Sequence, residues 1–245
     1  GSPATNATEI PGAVKYTFNM FDKSMVTLDR VVNGQSQDVT IKNKTSRIGS
    51  PKEITKYVDK NCDESKIIEK TTFTFLDESP DFENKLTNIF HNQGKIDQVF
   101  LDKLTLDGTE MKSKVIKKTY IAPLVTTKVE RMMYDKLGNN LKVNTSVTKN
   151  LAFDFFNGLP TATVMSDSYN NQYLAVSDFA YHHYPYMASK AEDVTNLNLL
   201  TLPAASFMFK LTGNTSPDDL AGCSLESVVS ATINRYKPKE TGSNT

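Results

Sequence analysis

Residues 131–186 read RMMYDKLGNNLKVNTSVTKNLAFDFFNGLPTATVMSDSYNNQYLAVSDFAYHHYPY, and this stretch decides the fold class. Apolar and polar residues alternate through much of it, as in strands with one buried and one solvated face. The clearest example is 141–147, where Leu, Val, Thr and Val share one face and Lys, Asn and Ser share the other. Clusters of Gly, Asn and Asp separate these segments and favour tight reversals of the chain. The stretch therefore predicts consecutive antiparallel β-hairpins.

The dipeptide Asn157-Gly158 is the sharpest turn signal in the chain. A type I′ turn requires positive φ at both central positions, which Asn and Gly tolerate better than other residues. We therefore predict a type I′ hairpin turn between a strand over 151–156 and a strand over 161–165. A second turn is predicted over 167–171, which is rich in Asp, Ser and Asn, and a strand over 173–179 follows it.

Further strand signals occur on both sides of this stretch. Pro123 interrupts one of them, which favours an edge or a bulge at that point. The last segment, 225–236, has a period that is ambiguous between helix and strand, and its Val and Thr content favours a strand. The other predicted strands cover 14–22, 25–32, 38–41, 66–76, 96–106, 113–125, 128–134 and 204–211.

Three Ser-Pro pairs predict short helices, because Ser is a good N-cap and Pro fits the first helical position. Ser50-Pro51 with Glu53 forms a capping box, so we predict a helix over 51–59. Ser79-Pro80 predicts a second helix, and Ser216-Pro217 a third of about one turn. Taken together, the chain is predicted to be mainly β, with consecutive antiparallel hairpins in a large twisted sheet, a sandwich or a shell segment, and two or three short helices.

Length and charge bound the domain organisation and the partners. The 245 residues contain 28 Lys and Arg against 28 Asp and Glu, so no net charge favours nucleic acid. No apolar run approaches the roughly 18 residues of a membrane span. We expect a flexible leader over 1–12 whose Gly-Ser start resembles a tag scar, a β-rich half over 13–125, a hairpin half over 126–238 and a disordered tail over 239–245. We also expect a fragment of a longer protein.

Two cysteines, Cys62 and Cys223, are too far apart for a C-x-x-C motif or a zinc ribbon. Two alternatives remain at this point. A disulfide between them would close a long loop and stabilise the fold by about 3 to 5 kcal/mol. Otherwise, both are partly buried free thiols.

No catalytic or metal-binding constellation emerges from the sequence. His182 and His183 are adjacent, and neighbouring strand residues point to opposite faces, so we predict no metal site there. The G-x-S-x-G elbow and the Gly-rich phosphate motifs are absent. We expect no cofactor and no catalytic residue. A hydrolase would have to draw its carboxylate pair from Asp135, Asp154, Asp167 and Asp178, and three of these occupy or flank predicted turns.

Tyrosines form the one candidate binding surface. An aromatic platform of this kind stacks on sugars or packs against a protein partner, although tyrosines also pack into cores. The residues are Tyr169, Tyr173, Tyr181, Tyr184 and Tyr186.

The segment 134–139, Tyr-Asp-Lys-Leu-Gly-Asn, resembles the defining element of bacterial RHS/YD-repeat proteins, in which a Tyr-Asp pair precedes a Gly-Asn turn within long hairpins. The matching positions are Tyr134, Asp135, Gly138 and Asn139. The segment 167–173 resembles a degenerate second copy. A repeat array would contain more copies at a regular spacing of about 20 residues.

This resemblance implies a non-catalytic structural or interaction region of a large exported protein, secreted or on the bacterial cell surface. Its partners would be the remainder of the parent chain or another protein. The self-cleaving aspartates of the family belong to a C-terminal motif that this chain lacks, so no catalytic residue is carried over. The alternatives are a carbohydrate- or surface-binding β-sandwich that uses the tyrosines, with a glycan as partner, and a hydrolase that uses aspartates.

Overall fold

The computed structural model describes residues 12–33, 36–79, 82, 85, 89, 95–106, 109–134, 140–167, 169–213 and 217–237. These residues form thirteen β-strands. The strands are Ala13–Phe18 (β1), Val26–Asn33 (β2), Ser36–Asn43 (β3), Pro51–Tyr57 (β4), Ile67–Phe75 (β5), Lys95–Leu106 (β6), Thr109–Tyr120 (β7), Leu124–Tyr134 (β8), Asn140–Phe153 (β9), Pro160–Ser166 (β10), Gln172–Phe179 (β11), Pro203–Leu211 (β12) and Leu225–Ile233 (β13).

The strands form two sheets. The larger has nine strands in the order β1-β4-β5-β8-β9-β10-β11-β12-β13, and every neighbouring pair is antiparallel. The smaller has four strands in the order β2-β3-β7-β6, with β3 and β7 parallel. The large sheet therefore takes strands from both predicted halves of the chain. The predicted fold class is confirmed.

The chain leaves the large sheet twice, and each excursion is one hairpin of the small sheet. The first excursion is β2–β3, between β1 and β4, and the second is β6–β7, between β5 and β8. Pro123 lies in the connection through which the chain returns from β7 to β8, so it breaks the predicted strand run into two. From β8 onward, each strand of the large sheet pairs with the next one in sequence.

The helix predicted over 51–59 is wrong, because this segment is strand β4. Thr55 and Tyr57 are each only 1% exposed, while Lys56 between them is exposed. This period of two is the pattern of a strand, and β4 pairs with β1 on one side and β5 on the other. Two ladders of backbone hydrogen bonds outweigh the two hydrogen bonds that a capping box offers.

The second predicted helix is present at the positions that can be described. Phe82, Lys85 and Ile89 have helical backbone, and buried Phe82 contacts Tyr120 edge to face, with ring centroids 5.1 Å apart. The third predicted helix is wrong over 217–222, which consists of bends and a turn. Short 3-10 helices lie at Lys23–Met25, Thr45–Arg47, Glu64–Lys66, Leu76–Glu78, Ala180–His182 and Pro185–Met187.

The main buried cluster of the large sheet lies between β9 and β12. Its members are Leu151, Ala152, Ala162, Val164, Leu174 and Leu211, with Val176, Phe209 and Cys223 packed against it.

Cys62 and Cys223 are both free thiols, which resolves the open alternative against a disulfide. Burial raises the pKa of Cys223. The segment 225–236, whose period was ambiguous, contains strand β13.

Candidate functional site

An apolar row crosses four strands of the large sheet and reaches its edge. Val164, Leu174, Phe209 and Val228 lie directly opposite one another on β10, β11, β12 and β13. Their exposure rises along the row: Val164 is 1% exposed, Leu174 4% and Val228 62%. The neighbouring residues that bury the start of this row therefore do not extend over its end.

Two irregularities in the β12–β13 pairing keep four of the five apolar residues of β13 on one face. The register shifts between Met208 and Phe209 and again between Lys210 and Leu211, so that Val229 and Glu226 are left out of the pairing. Leu225, Val228, Ala231 and Ile233 consequently lie opposite Leu211, Phe209, Phe207 and Ala205. We call Phe207, Phe209 and these four residues of β13 the β13 surface.

The aromatic part of the β13 surface is half-buried and stacked. Phe207 and Phe209 stack with ring centroids 6.2 Å apart and an interplanar angle of 24°. Phe209 also packs against the buried cluster that contains Leu174. The surface is thus an extension of the core that begins at half-buried rings and ends at exposed aliphatic groups.

The backbone of β13 is paired on one side only within the described residues. All nine of its residues are exposed. An edge of this kind presents free N–H and C=O groups to which another strand can bind. Apolar contact area and backbone hydrogen-bonding capacity therefore occur together at one edge.

A second cluster, of polar side chains, lies where β11 ends. Asp154 is 3% exposed, and its Oδ1 accepts the backbone N–H groups of Phe156 and Asn157 at 3.0 Å each. Its Oδ2 accepts the Tyr181 hydroxyl proton and lies 3.0 Å from Nε2 of His182. Asp154 thus joins the loop between β9 and β10 to the 3-10 helix after β11.

Asp178 completes this polar cluster from the other side of the His182 ring. Nδ1 of His182 is 2.9 Å from Asp178 Oδ1, and Nε2 of His183 contacts Asp178 Oδ2. Since both nitrogens of His182 face a carboxylate, only the doubly protonated ring donates to both. Within this cluster, each carboxylate and each contacting ring nitrogen already has a partner.

Burial and hydrogen bonding shift two pKa values in the polar cluster. Burial, followed by the hydrogen bond to Asp154, raises the pKa of Tyr181 above its ordinary value. Burial alone would raise the pKa of Asp178, but the hydrogen bonds with His183 and His182 outweigh it and lower that pKa. Tyr181 is therefore held protonated and Asp178 ionised over the neutral range.

Among the described residues, no group of three or more His, Cys, Asp or Glu side chains is arranged to hold a metal ion. Asp154 and Asp178, two of the four aspartates considered for hydrolysis, are brought together, but the ring of His182 lies between them. Asp167 instead caps its own turn by accepting the N–H groups of Tyr169 and Asn171. Asp135 lies outside the described residues.

The structure separates the five predicted tyrosines. Tyr169, 85% exposed, lies in the turn before β11, and Tyr173 lies near the start of that strand. Tyr181 follows the end of β11, roughly 25 Å away for eight extended residues. Tyr184 packs edge to face on Tyr186 and on Tyr236. Tyr181, Tyr184 and Tyr186 all pack against buried Ala180, Met187 and Ala204.

The predicted turns can be located in part. Tyr134 ends β8, and its hydroxyl donates to the carbonyl oxygen of Ile67 at 2.6 Å. Asp135, Gly138 and Asn139 lie outside the described residues, although β8 and β9 pair as a hairpin around them.

The hairpin at Asn157-Gly158 is confirmed in place, but the type I′ turn is wrong. The connection spans 154–159, and of its residues only Gly158 has positive φ, at +71°. Asp154 holds this longer loop through side-chain and backbone hydrogen bonds, so the two-residue turn is not needed.

The β13 surface and the His182 contacts were not predicted from the sequence. A signal for the first was present, because 227–233 contains no charged residue and no proline. The four-residue spacing of Asp178 and His182 was a weak signal for the second. The contact with Asp154 spans 28 residues and carries no local signal.

No model of a known protein family, no curated protein and no solved structure matches this chain. No helix in the described parts of the chain has the length and apolar character needed to cross a bilayer.

Proposed function

We propose that this chain is a non-catalytic structural and interaction region of a large exported RHS-like protein, and that it acts by binding protein along the edge of its large sheet. The observation that carries the proposal is the apolar row that ends, uncovered, at Val228. A partner strand that pairs with β13 and places apolar residues on the same face would cover this row.

In the polar cluster, each carboxylate and each contacting ring nitrogen already has a partner, and this supports a non-catalytic role. Asp154 is occupied by two backbone N–H groups, Tyr181 and His182. A substrate placed between Asp154 and Asp178 would first have to displace His182. Such a satisfied network ties chain segments together and needs no turnover to account for it.

The hairpin around 134–140 supports the RHS-like part of the proposal. Tyr134 and Asn140 pair across the end of the β8–β9 hairpin, as a Tyr-Asp motif before a Gly-Asn turn requires. The run of hairpins from β8 to β13 is the architecture that this resemblance implies. An exported location follows from the resemblance.

The experiment that tests the proposal is site-specific photo-cross-linking in material from the native source. A photoreactive side chain replaces Val228 in one sample and Val194 in a control. Val194 is the same residue type and is 84% exposed, but it lies in the loop between β11 and β12. We expect cross-links from position 228 to one defined protein segment, and no such product from position 194.

The same material provides the outcomes that would overturn the proposal. Equal cross-linking from both positions would remove the edge of the sheet as the binding surface. A robust turnover by the purified chain, abolished by Asp178→Asn with the fold intact, would remove the non-catalytic assignment. A reciprocal cross-link from the captured segment back to β13 would confirm that the partner pairs with this strand.

A further inference from the structure

The four edge strands of the two sheets differ in charge. β1 carries Lys15 at its middle, and β2 carries Asp29 and Arg30. β6 contains two lysines and two aspartates in its sequence. Charged residues on an edge strand oppose pairing with another chain, because the charge would have to be desolvated. β1 and β2 therefore have the usual protection against association, and the sequence of β6 contains charges of both signs.

β13 lacks this protection. Its only charged residue is Glu226, near its start, where the carboxylate is 3.0 Å from Nζ of Lys210. The seven residues from Ser227 to Ile233 carry no charge and no proline, and all are exposed. Of the four edges, β13 is thus the one suited to binding a further strand.

The side chains of β13 also match a second copy of the same strand. Its register with β12 has seven positions: Leu225, Ser227, Val228, Ser230, Ala231, Thr232 and Ile233. When the strand keeps the two bulges at Glu226 and Val229 and is paired antiparallel with itself about Ser230, Leu225 faces Ile233, Ser227 faces Thr232 and Val228 faces Ala231. Every apolar residue of this register then meets an apolar residue and every hydroxyl meets a hydroxyl, while Glu226 and Val229 stay outside the pairing.

The faces and charges of two such copies are compatible as well. A two-fold axis perpendicular to the sheet leaves the apolar face of both copies on the same side, so the apolar rows would join. The two Glu226 carboxylates lie near opposite ends of the paired strands, and no like charges face each other. Self-pairing of this kind closes after two copies, unlike pairing of β13 with the β1 edge, which would extend indefinitely.

We infer that two copies of this chain form a symmetric dimer by antiparallel pairing of β13 with β13, with the two-fold axis at Ser230. This inference rests on the proposed function and names the partner. A single edge strand offers less than the roughly 800 Å² per partner of a standard interface, so the dimer dissociates on dilution.

The test uses sedimentation of the full chain over a range of concentrations. The wild type is expected to rise from the 27.3 kDa monomer toward twice that mass. Ser230→Lys places two positive charges against each other on the axis, and Ser230→Glu places two negative charges there. Each variant alone is expected to dimerise at least tenfold more weakly than wild type. An equimolar mixture of the two is expected to recover the dimer, because opposite charges then meet.

Thr17→Lys and Thr17→Glu, on the β1 edge, are the control. Both are expected to show the same mass as wild type at each concentration. Ser230 and Thr17 are both exposed, so unfolding midpoints within a few degrees of wild type establish that the variants are folded. Ser230→Ala keeps the surface uncharged and is expected to dimerise as wild type does.

Two results would overturn the dimer. One is a wild-type monomer at every concentration, and the other is a dimer that neither Ser230→Lys nor the mixture affects. A monomer that still cross-links from position 228 to a different protein would remove the dimer and leave the proposed function standing. Failure of the cross-linking as well would remove both.

Discussion

The two sides of the nine-stranded sheet are held together by opposite chemistry. On the β4–β5–β8 side, a charged row of Lys56, Glu69 and Arg131 lies directly across three strands, with Glu69 2.7 Å from Lys56 and 2.8 Å from Arg131. On the β10–β13 side, the apolar row from Val164 to Val228 takes its place.

The difference lies in what each row needs in order to be complete. The charged row is satisfied in water, since its outer members Lys56 and Arg131 are 51% and 61% exposed and their charges remain solvated. The apolar row gains free energy only as water is removed from it, and Val228 is still exposed. The charged row therefore needs no further contact. The apolar row can still gain free energy from a partner that covers Val228.

The largest expected effect comes from truncating the apolar row at its centre. Leu174→Ala removes a side chain that is 4% exposed, and we expect it to lower the free energy of unfolding by about 2 to 5 kcal/mol. Urea unfolding measures this loss. Leu197→Ala, at a loop residue that is 47% exposed, is the matched control and should cost far less. Equal losses at the two positions would mean that the row is not a core element.

A smaller effect is expected at the turn that leads into β10, the first strand of the apolar row. Gly158→Val forces a β-branched residue to a φ of +71°, although a Cβ there meets nothing within 4 Å. We expect a loss of about 1 kcal/mol or more, because the cost is one of backbone conformation alone. Gly158→Asn should lose less, since Asn tolerates positive φ. Equal losses for Val and Asn would show that the backbone conformation is not responsible.

The strands of the apolar side were largely predictable from the sequence, since alternation and turn residues are local signals. For β13 the strand was favoured correctly by Val and Thr content, but not by period, because the residues at 225, 228, 231 and 233 fit neither a period of two nor one of 3.6. The two register shifts explain this spacing, because each lets the strand skip a residue and return the next apolar one to the same face. Pairing with β12 is a long-range property, so the local period stayed ambiguous.

The charged side was less predictable. β4 was mistaken for a helix because Ser50, Pro51 and Glu53 imitate a capping box.

The parallel pairing of β3 with β7 in the small sheet joins segments more than 70 residues apart, and no local pattern specifies it. The polar cluster of Asp154 and His182 is hidden for the same reason. What the sequence leaves undetermined is which segments meet once the strands have formed.

The charged row is expected to contribute less than the apolar one and to depend on salt. Glu69→Gln removes the carboxylate shared by Lys56 and Arg131, and we expect a loss of no more than about 1 kcal/mol, since both partners are well exposed. This loss should shrink in 1 M salt, where screening acts over about 3 Å. The loss caused by Leu174→Ala should not shrink. A salt-independent effect of Glu69→Gln would contradict an electrostatic origin.

The smallest expected effect is on how the stability of each side depends on pH. The hydrogen bond from Lys56 lowers the pKa of Glu69, with burial opposing it and Arg131 adding to it. The hydrogen bonds with His183 and His182 lower the pKa of Asp178 against the opposing effect of burial. A carboxyl with a lowered pKa in the folded state stabilises the fold above its ordinary pKa of about 4, and this contribution is lost as the pH falls below that value.

Acid should therefore weaken the charged side at Glu69 and the apolar side at Asp178, with further contributions from carboxyls such as Glu53 and Asp167, whose pKa values are also lowered. Urea midpoints between pH 7 and pH 3 are expected to fall less in Glu69→Gln and in Asp178→Asn than in wild type, and least in the double variant. Leu174→Ala should lower the midpoint equally at each pH, because it removes no titrating group. An acid response that persists unchanged in the double variant would place the sensitive carboxylates elsewhere, and the contrast between the two rows would then rest on burial and salt alone.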